Sequence, residues 1–396
     1  MPSIDGMAGV ISRLDGPDIT VRKDRCVLVR NRNAGCTRCA EACTSGCISF
    51  SDGGLHVDQG KCIGCGTCAT VCPTCALEAH NPNDAQLLDD CLKAFDSDGC
   101  RVCIGCAELL DRAQGLYDPT KVVRVECLGR VEESLLTALV QAGARDISLA
   151  CGTCASCMHR SGFDVAERVC GTQRVLLEAW GMQADVRISH KMPSYARLGR
   201  KGYDPFKRAA FAKDRRSVRD AGFRVAKGML DDASGNTETT SEDEGRYAKV
   251  MADGTLPHFL PDRRERLLDS LAALGEPEDV MMATRLWGHV VIDVDACVSC
   301  RMCATFCPTG AIAKFEDADG TFGVEHYPGD CVKCRCCVNI CPAHALTLSE
   351  EVFAVDMLAG MADRYEMKPV EHPKGKADSI WRTARTFTRC TQVFER

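Results

Sequence analysis

The 396-residue sequence predicts a multidomain chain of class α+β and α/β, with two small cysteine-rich modules flanking a parallel α/β unit. Three observations predict it. Cysteine supplies 29 of the residues and gathers in short runs near both ends and in the middle. Between the outer runs, segments with the periods of strands and helices alternate. The length also exceeds what one core of ordinary size fills, leaving room for two or three domains.

The clearest run is Cys297-x-x-Cys300-x-x-Cys303-x-x-x-Cys307-Pro308, answered by Cys331-x-x-Cys334-x-x-Cys337-x-x-x-Cys341-Pro342. Three sulfurs in so tight a loop converge on one small inorganic core. The fourth, ahead of proline, is carried off towards a second core, which is the spacing of a chain wrapped around two [4Fe–4S] cubes. Zinc ribbons use paired short spacings instead of two four-cysteine runs each ending in Cys-Pro. This segment resembles the bacterial two-cluster ferredoxins. The resemblance implies Cys297, Cys300, Cys303 and Cys341 on one cluster, and Cys331, Cys334, Cys337 and Cys307 on the other.

The same organisation opens the chain. Cys36-x-x-Cys39-x-x-x-Cys43-x-x-x-Cys47 precedes Cys62-x-x-Cys65-x-x-Cys68-x-x-x-Cys72-Pro73. Here the resemblance implies Cys36, Cys39 and Cys43 with Cys72, and Cys62, Cys65 and Cys68 with Cys47. The first run departs from the pattern by one extra residue between Cys39 and Cys43, and by Ile48 where proline is usual. Gly64 and Gly66 supply the backbone freedom that a cluster loop needs. Cys26 and Cys75 fit neither set and read as buried free thiols.

From about residue 88 the pattern changes. Leu87 to Phe95 is helical in character, and Cys100-x-x-Cys103-x-x-Cys106 follows without a Cys-Pro ending. A buried strand over 121–125 ends at Cys127. A helix over 132–142 stops at Gly143, and a strand over 146–150 delivers Cys151-x-x-Cys154-x-x-Cys157-Met158-His159. A helix over 163–180 and a strand over 184–188 complete the unit. The cysteines thus stand at the carboxyl ends of parallel strands, where sites of such sheets lie. Residues 95–188 resemble the delta subunit of methyl-viologen-reducing hydrogenase, through Cys103, Cys106, Cys127-x-Gly129-Arg130-Val131 and the stretch Cys151 to His159. The resemblance implies a [2Fe–2S] cluster on Cys103, Cys106, Cys127 and one or two of Cys151, Cys154 and Cys157. The two triads, with Cys91, Cys127 and Cys170 near them, leave open one or two [4Fe–4S] clusters instead, or zinc or no metal. His159 reads as a ligand or, more simply, as a residue beside the site.

Residues 187–228 are basic and read as an extended segment on the chain's own acidic surface, or as a docking strip for an acidic partner. Residues 231–244 are an acidic, Ser/Thr/Gly-rich linker. Asp262 caps a helix with Leu267, Leu268, Leu271 and Leu274 on one face and Gly275 as its stop. Residues 351–396 form a C-terminal strap; Cys336 packs, and Cys390 has no assignment. The expected domains are 1–86, 87–188, 189–288, 289–350 and 351–396.

A net charge of −6 and 6% aromatic residues give no footprint for nucleic acid. No apolar run approaches the roughly 20 residues that cross a bilayer, no signal peptide opens the sequence, and iron-binding thiolates fit a reducing cytoplasm. No G-x-G-x-x-G, G-x-x-x-x-G-K-[ST] or H-E-x-x-H motif is present. The reading is a non-catalytic electron-transfer subunit of an anaerobic oxidoreductase complex. It carries four [4Fe–4S] clusters and one or two further iron–sulfur clusters between a donor (hydrogenase, formate dehydrogenase or flavoprotein) and a reductase subunit. The alternatives are a reductase of a disulfide-like substrate at the middle cysteines, and a cluster-assembly or storage scaffold.

Overall fold

The computed structural model describes residues 18–198 and 250–369, apart from Asp52 and Asp279. Most of the basic stretch, the acidic linker, Cys390 and most of the strap lie outside the described residues.

The first module is built from short pieces. Strand β1 (Ile19–Val21) pairs antiparallel with β4 (Leu77–Ala79), and β2 (Ile48–Ser51) pairs with β3 (Gly54–Val57). Helices α1 (Val27–Arg30), α2 (Arg38–Glu41) and α3 (Thr67–Val71) lie between them. The core is small: Ile19, Leu55 and Leu77 are its large side chains, and cysteines fill much of the rest.

Helix α4 (Asp84–Asp98) leaves this module through a capping box, in which the Asn83 carboxamide accepts from the Gln86 amide at 2.8 Å and Gln86 accepts from the Asn83 amide at 3.1 Å. It leads into a four-stranded parallel sheet of β5 (Arg101–Cys106), β6 (Val122–Val125), β7 (Asp146–Ala150) and β8 (Asp185–Ser189), in the order β6-β5-β7-β8. Helices α5 (Ala107–Arg112), α6 (Glu133–Gln141) and α7 (Ser161–Ala179) connect them. Ile104, Leu136, Leu139, Ile147, Leu149 and Val169 are fully buried around the sheet. At about 25 cal/mol per Å² of apolar surface, this is the main hydrophobic core of the chain. The expected strands and helices of this unit are present within one to three residues of their expected bounds. One element was not expected: β5 consists of residues that read as a cysteine loop.

Helix α8 (Asp262–Leu274) begins after Pro261, which takes the cap position expected for Asp262, and ends at Gly275. Its Leu267 and Leu271 are buried against Trp180, Trp287 and Val352, so the leucine face packs on its own chain. The second module repeats the first on a larger scale. Strand β9 (Met281–Ala283) precedes β10 (His289–Ile292), which follows Trp287. Helix α9 (Met302–Thr305), hairpin β11 (Ile312–Glu316) and β12 (Phe322–His326), and helix α10 (Cys336–Ile340) come next. Strands β13 (Leu346–Ser349) and β14 (Glu351–Phe353), helix α11 (Asp356–Ala359) and strand β15 (Asp363–Glu366) complete it. Strand β10 pairs with β13, β14 with β9, and β15 extends the β11–β12 hairpin. No helix of the described residues is long and apolar enough to cross a membrane.

Candidate metal centres

The described cysteines form no disulfide, and most of them fall into five groups. The second module holds two. Cys331, Cys334 and Cys337 lie around α10 with Cys307, and burial raises the last two thiols of the run strongly, with Cys307 adding to both. Cys297, Cys300 and Cys303 lie around α9, with Cys341 within electrostatic reach of Cys297. Each run thus keeps three sulfurs near its own loop and sends the fourth across.

The loops owe their shape to left-handed residues. Ser299, Arg301, Lys333 and Arg335 have φ between 50° and 65°, and Gly64 and Gly66 in the first module have 63° and 70°. Such residues turn successive backbone N–H groups into one concavity. Sulfur is the acceptor: Ser299 N–H donates to Cys297 Sγ at 3.4 Å and Ala76 N–H to Cys72 Sγ at 3.2 Å.

In the first module, Cys62, Cys65 and Cys68 surround the start of α3, as the spacing predicts. The partners from the first run differ from expectation. Cys26 stands beside Cys36, Cys39 and Cys72: burial pushes Cys39 up to about 12, with Cys72, Cys26 and Cys36 contributing next. Burial likewise pushes Cys26 up to about 11, with Cys72 and Cys36 adding. Cys43, expected with Cys36 and Cys39, instead lies with Cys47 at 3.5 Å and near Cys68. The sequence suggests a buried free thiol at Cys26 because no short spacing links it to Cys36.

The middle group sits at the carboxyl ends of the parallel strands, beside the switch point between β5 and β7. Cys106 ends β5, Cys127 follows β6, and Cys151, Cys154 and Cys157 follow β7. Burial raises Cys151, and its neighbours Cys154, Cys106 and Cys127 add to the effect. Amides again face sulfur: Gly129 N–H to Cys127 Sγ at 3.5 Å, Gly152 N–H to Cys106 Sγ at 3.4 Å and His159 N–H to Cys157 Sγ at 3.4 Å. Two expected residues are not there. Cys103 lies inside β5, an odd number of positions from Cys106, so pleating turns it to the opposite face, where it is fully buried beside Met192. Cys100 precedes the strand at its other end and is exposed. Cys91 and Cys170 are buried in helices α4 and α7 away from the group. His159 contributes its backbone carbonyl, 3.6 Å from Cys127 Sγ, while His190 brings Nδ1 to 3.2 Å from Cys151 Sγ. His190 carries no motif; its place after β8, at the same sheet edge, is the only signal for it.

The groups follow one another. Cys127 has Cys65 among its electrostatic neighbours, Cys68 has Cys39, Cys336 has Cys36, and Cys337 has Cys303. At the first joint Gly129 and Gly162 meet with almost no space, since a Cβ on Gly162 would lie 2.2 Å from Cys127 Sγ. At the joint between modules the buried Arg30 donates to Pro257 O at 2.7 Å and Cys307 O at 3.3 Å. Asn339 Nδ2 donates to Ala34 O at 2.5 Å there, and Arg38 to Lys333 O at 2.8 Å.

Buried thiols facing inward amides, in groups and without disulfides, are a donor set for iron–sulfur clusters. Comparison with known proteins agrees. A 4Fe-4S dicluster domain matches residues 296–345, a 4Fe-4S binding domain matches residues 55–78, and the family of the methyl-viologen-reducing hydrogenase delta subunit matches residues 100–198. The chain carries 4Fe-4S ferredoxin domains and a hydrogenase-delta-like domain. Among similar proteins, the electron transport protein HydN of Escherichia coli (strain K12) is 50% identical over 40 residues, 10% of this chain and 23% of HydN. The B component of an ion-translocating oxidoreductase complex from Methanosarcina acetivorans is 39% identical over 44 residues, 11% of this chain and 17% of that protein. The chain therefore spans less than a quarter of the length of either relative.

Proposed function

We propose that this chain is a non-catalytic electron-transfer subunit of an anaerobic, cytoplasmic oxidoreductase complex, relaying electrons between a donor subunit and a reductase. The observation that carries the reading is the succession of five cysteine groups, with Cys127 and Thr67 of the first module meeting at Gly162 and with Cys36 and Cys334 packed in one cluster across the joint between the modules. When bound, iron–sulfur clusters supply one-electron carriers whose potentials are set by hydrogen bonds and exposure. The chain's own residues hold those positions in order, exclude water and place amides and arginines around the sulfurs. Cys297, Cys300, Cys303 and Cys341 would hold one cluster, Cys307, Cys331, Cys334 and Cys337 a second, and the N-terminal module two more. Cys106, Cys127, Cys151 and Cys154 would hold a fifth, the single-cluster form of the one or two that the two cysteine triads suggest.

The ends of the succession reach the surface, as do Cys43, Cys62 and Cys65 between them. Cys300 is exposed at one end, and Cys154 and Cys157 are partly exposed at the other. This suits a donor and an acceptor subunit at opposite termini. The names of the relatives, an electron transport protein and a subunit of an oxidoreductase complex, point the same way. A cleft lined by Arg263, Arg264, Arg285, Glu132 and Glu133 offers only ≈ 60 Å³, well below the roughly 300 Å³ at which small-molecule sites begin. The test is anaerobic iron and sulfide analysis of the purified full chain with spin quantitation after reduction. About 18 to 20 irons per chain are expected, and fewer than roughly 12 would refute the core of four cubanes.

A further inference from the structure

We infer that Cys26 is a cluster ligand of the N-terminal module, that residues 27–35 are an expanded form of the ordinary two-residue spacer between its first and second ligands, and that Cys47 is not a ligand. This rests on the iron–sulfur reading above and assigns the sets Cys26, Cys36, Cys39, Cys72 and Cys62, Cys65, Cys68, Cys43.

The argument is a register between the two modules, fixed by strand pairing. Val21 pairs with Leu77 in the first module as Ile292 pairs with Leu346 in the second. Ile48 pairs with Val57 as Ile312 pairs with His326. With these anchors, Cys26 follows Val21 by the same distance in sequence as Cys297 follows Ile292. Its backbone matches that of Cys331, the first ligand of the other run, with φ −72° and ψ 118° in both, each directly after a one-turn helix.

From the other side, Cys43-Thr-Ser-Gly-Cys-Ile48 falls on Cys307-Pro-Thr-Gly-Ala-Ile312. Gly46 and Gly310 are both left-handed, with φ of 65° and 78°. Cys39 lies in α2 as Cys303 lies in α9, and Gly35 before Cys36 is left-handed like Ser299 before Cys300. In this register the extra residue between Cys39 and Cys43 disappears, because Cys39-x-x-x-Cys43 is the ordinary third-to-fourth spacing. Cys47 takes the place of Ala311, at the foot of the hairpin. Cys26 gathers with Cys36, Cys39 and Cys72 as this register requires, and Cys43 lies near Cys68, while Cys47 is a neighbour of both Cys43 and Cys62, so the strand register and not proximity separates Cys43 from Cys47.

The inserted residues have an observable job. Val27 and Ala34 are buried with Phe306, Cys336 and Ile340 of the second module, and Arg30 and Ala34 make polar contacts across that joint beside the one from Arg38. An excursion between two ligands of one cluster thus reaches the loop holding Cys334, and ties the two ferredoxin modules together.

The test uses the full chain, purified and reconstituted anaerobically, with iron analysis and electron paramagnetic resonance of the reduced protein. Cys47→Ala installs the residue that the second module already has there, so it should fold. It is expected to keep the full iron content and an unchanged spectrum. Cys26→Ala is expected to lose about four irons and one cluster signal. Loss of a cluster in Cys47→Ala, or an unchanged Cys26→Ala, overturns the assignment. Should Cys26→Ala not fold, Cys47→Ala decides alone. A wild-type chain with fewer than roughly 12 irons would instead count against the iron–sulfur reading itself.

Discussion

In the second run of each ferredoxin module the chain turns through the same two left-handed positions. The N-terminal module fills them with Gly64 and Gly66, the C-terminal module with Lys333 and Arg335. A side chain in this region costs roughly 1–2 kcal/mol, so the C-terminal module accepts strain that its counterpart avoids. It uses those side chains as anchors. Lys333 Nζ reaches Thr284 O at 2.7 Å and Glu350 at 2.5 Å, and Arg335 reaches Glu350 at 2.8 Å. The glycines, by contrast, leave room for a neighbour: a Cβ on Gly66 would lie 2.4 Å from Arg130 Cδ, and Arg130 is buried against the module. The difference teaches how one loop geometry serves two purposes. With glycine it admits a docked domain, and with long side chains it closes on its own module.

The largest expected effect breaks the docked side. Gly162→Ala would put a methyl 2.2 Å from Cys127 Sγ and 3.3 Å from Thr67 Oγ1. Such overpacking should destabilise by about 3 kcal/mol or more and deplete iron from the middle group. Iron analysis and thermal unfolding would show both. Resonance signals of the C-terminal module should be untouched, and their loss would mean that the domains do not hold their clusters independently.

A second difference lies five residues before each second run, where the N-terminal module has Val57 and the C-terminal one has His326. His326 is fully buried and both ring nitrogens lack hydrogen-bond partners. Burial, then the stacked His289, depress it to about 4, against the opposing pull of Asp363. A histidine with a folded value below its unfolded one near 6.5 stabilises above that pH and loses the contribution as pH falls towards 4. The C-terminal module should therefore lose up to about 3 kcal/mol between pH 6.5 and 4. His326→Val, which copies Val57, should flatten that dependence in denaturant titrations at stepped pH; an unchanged slope would assign it elsewhere.

The contrast between the modules also explains what the sequence could disclose. Regular spacing made the C-terminal runs and Cys62 to Cys72 legible, because a cubane constrains three sulfurs to one tight loop. The expanded spacer 27–35 conceals Cys26, since a thiol separated from its loop leaves no local period. Only pairings such as Val21 with Leu77, which are tertiary facts, restore the register. The α/β unit was legible from period, except β5. There Cys100, Cys103 and Cys106 imitate a cluster loop, and the strand's pleat, which separates Cys103 from Cys106, has no signature in cysteine spacing alone. Helix α8 was legible in its leucine face and its stop at Gly275, since Leu267 and Leu271 need only a neighbour to cover them, but not in its cap, which is Pro261 and not Asp262.

Arg30 tests the joint between the modules more gently. Its guanidinium is buried, has Cys307, Cys336 and Cys334 among its electrostatic neighbours, and donates to two carbonyls across the joint. Arg30→Leu removes a positive charge that favours the reduced, more negative state of a neighbouring cluster. Potentiometric titration should show one cluster shifted negative by on the order of 50 mV, with about 2 kcal/mol lost in unfolding. A shift in the positive direction would contradict the placement of that charge beside the Cys307 group.

The smallest effect is the most direct probe of the comparison. Arg335→Gly makes the C-terminal loop like the N-terminal one, relieving a φ of 65°. Against the relief of roughly 1–2 kcal/mol stand the added freedom of glycine in the unfolded chain, about 0.5–1 kcal/mol, and the pair with Glu350. That pair is 51% and 61% exposed, and such pairs contribute little. The balance should leave the variant unchanged or about 0.5 kcal/mol more stable, with a normal cluster signal, as read by denaturant midpoint and resonance spectrum. A loss beyond about 1 kcal/mol would show that the Arg335–Glu350 anchor outweighs the strain it accompanies. In that case closing the loop on its own module, rather than tolerating a bent backbone, would be what distinguishes the C-terminal module from its glycine-built partner.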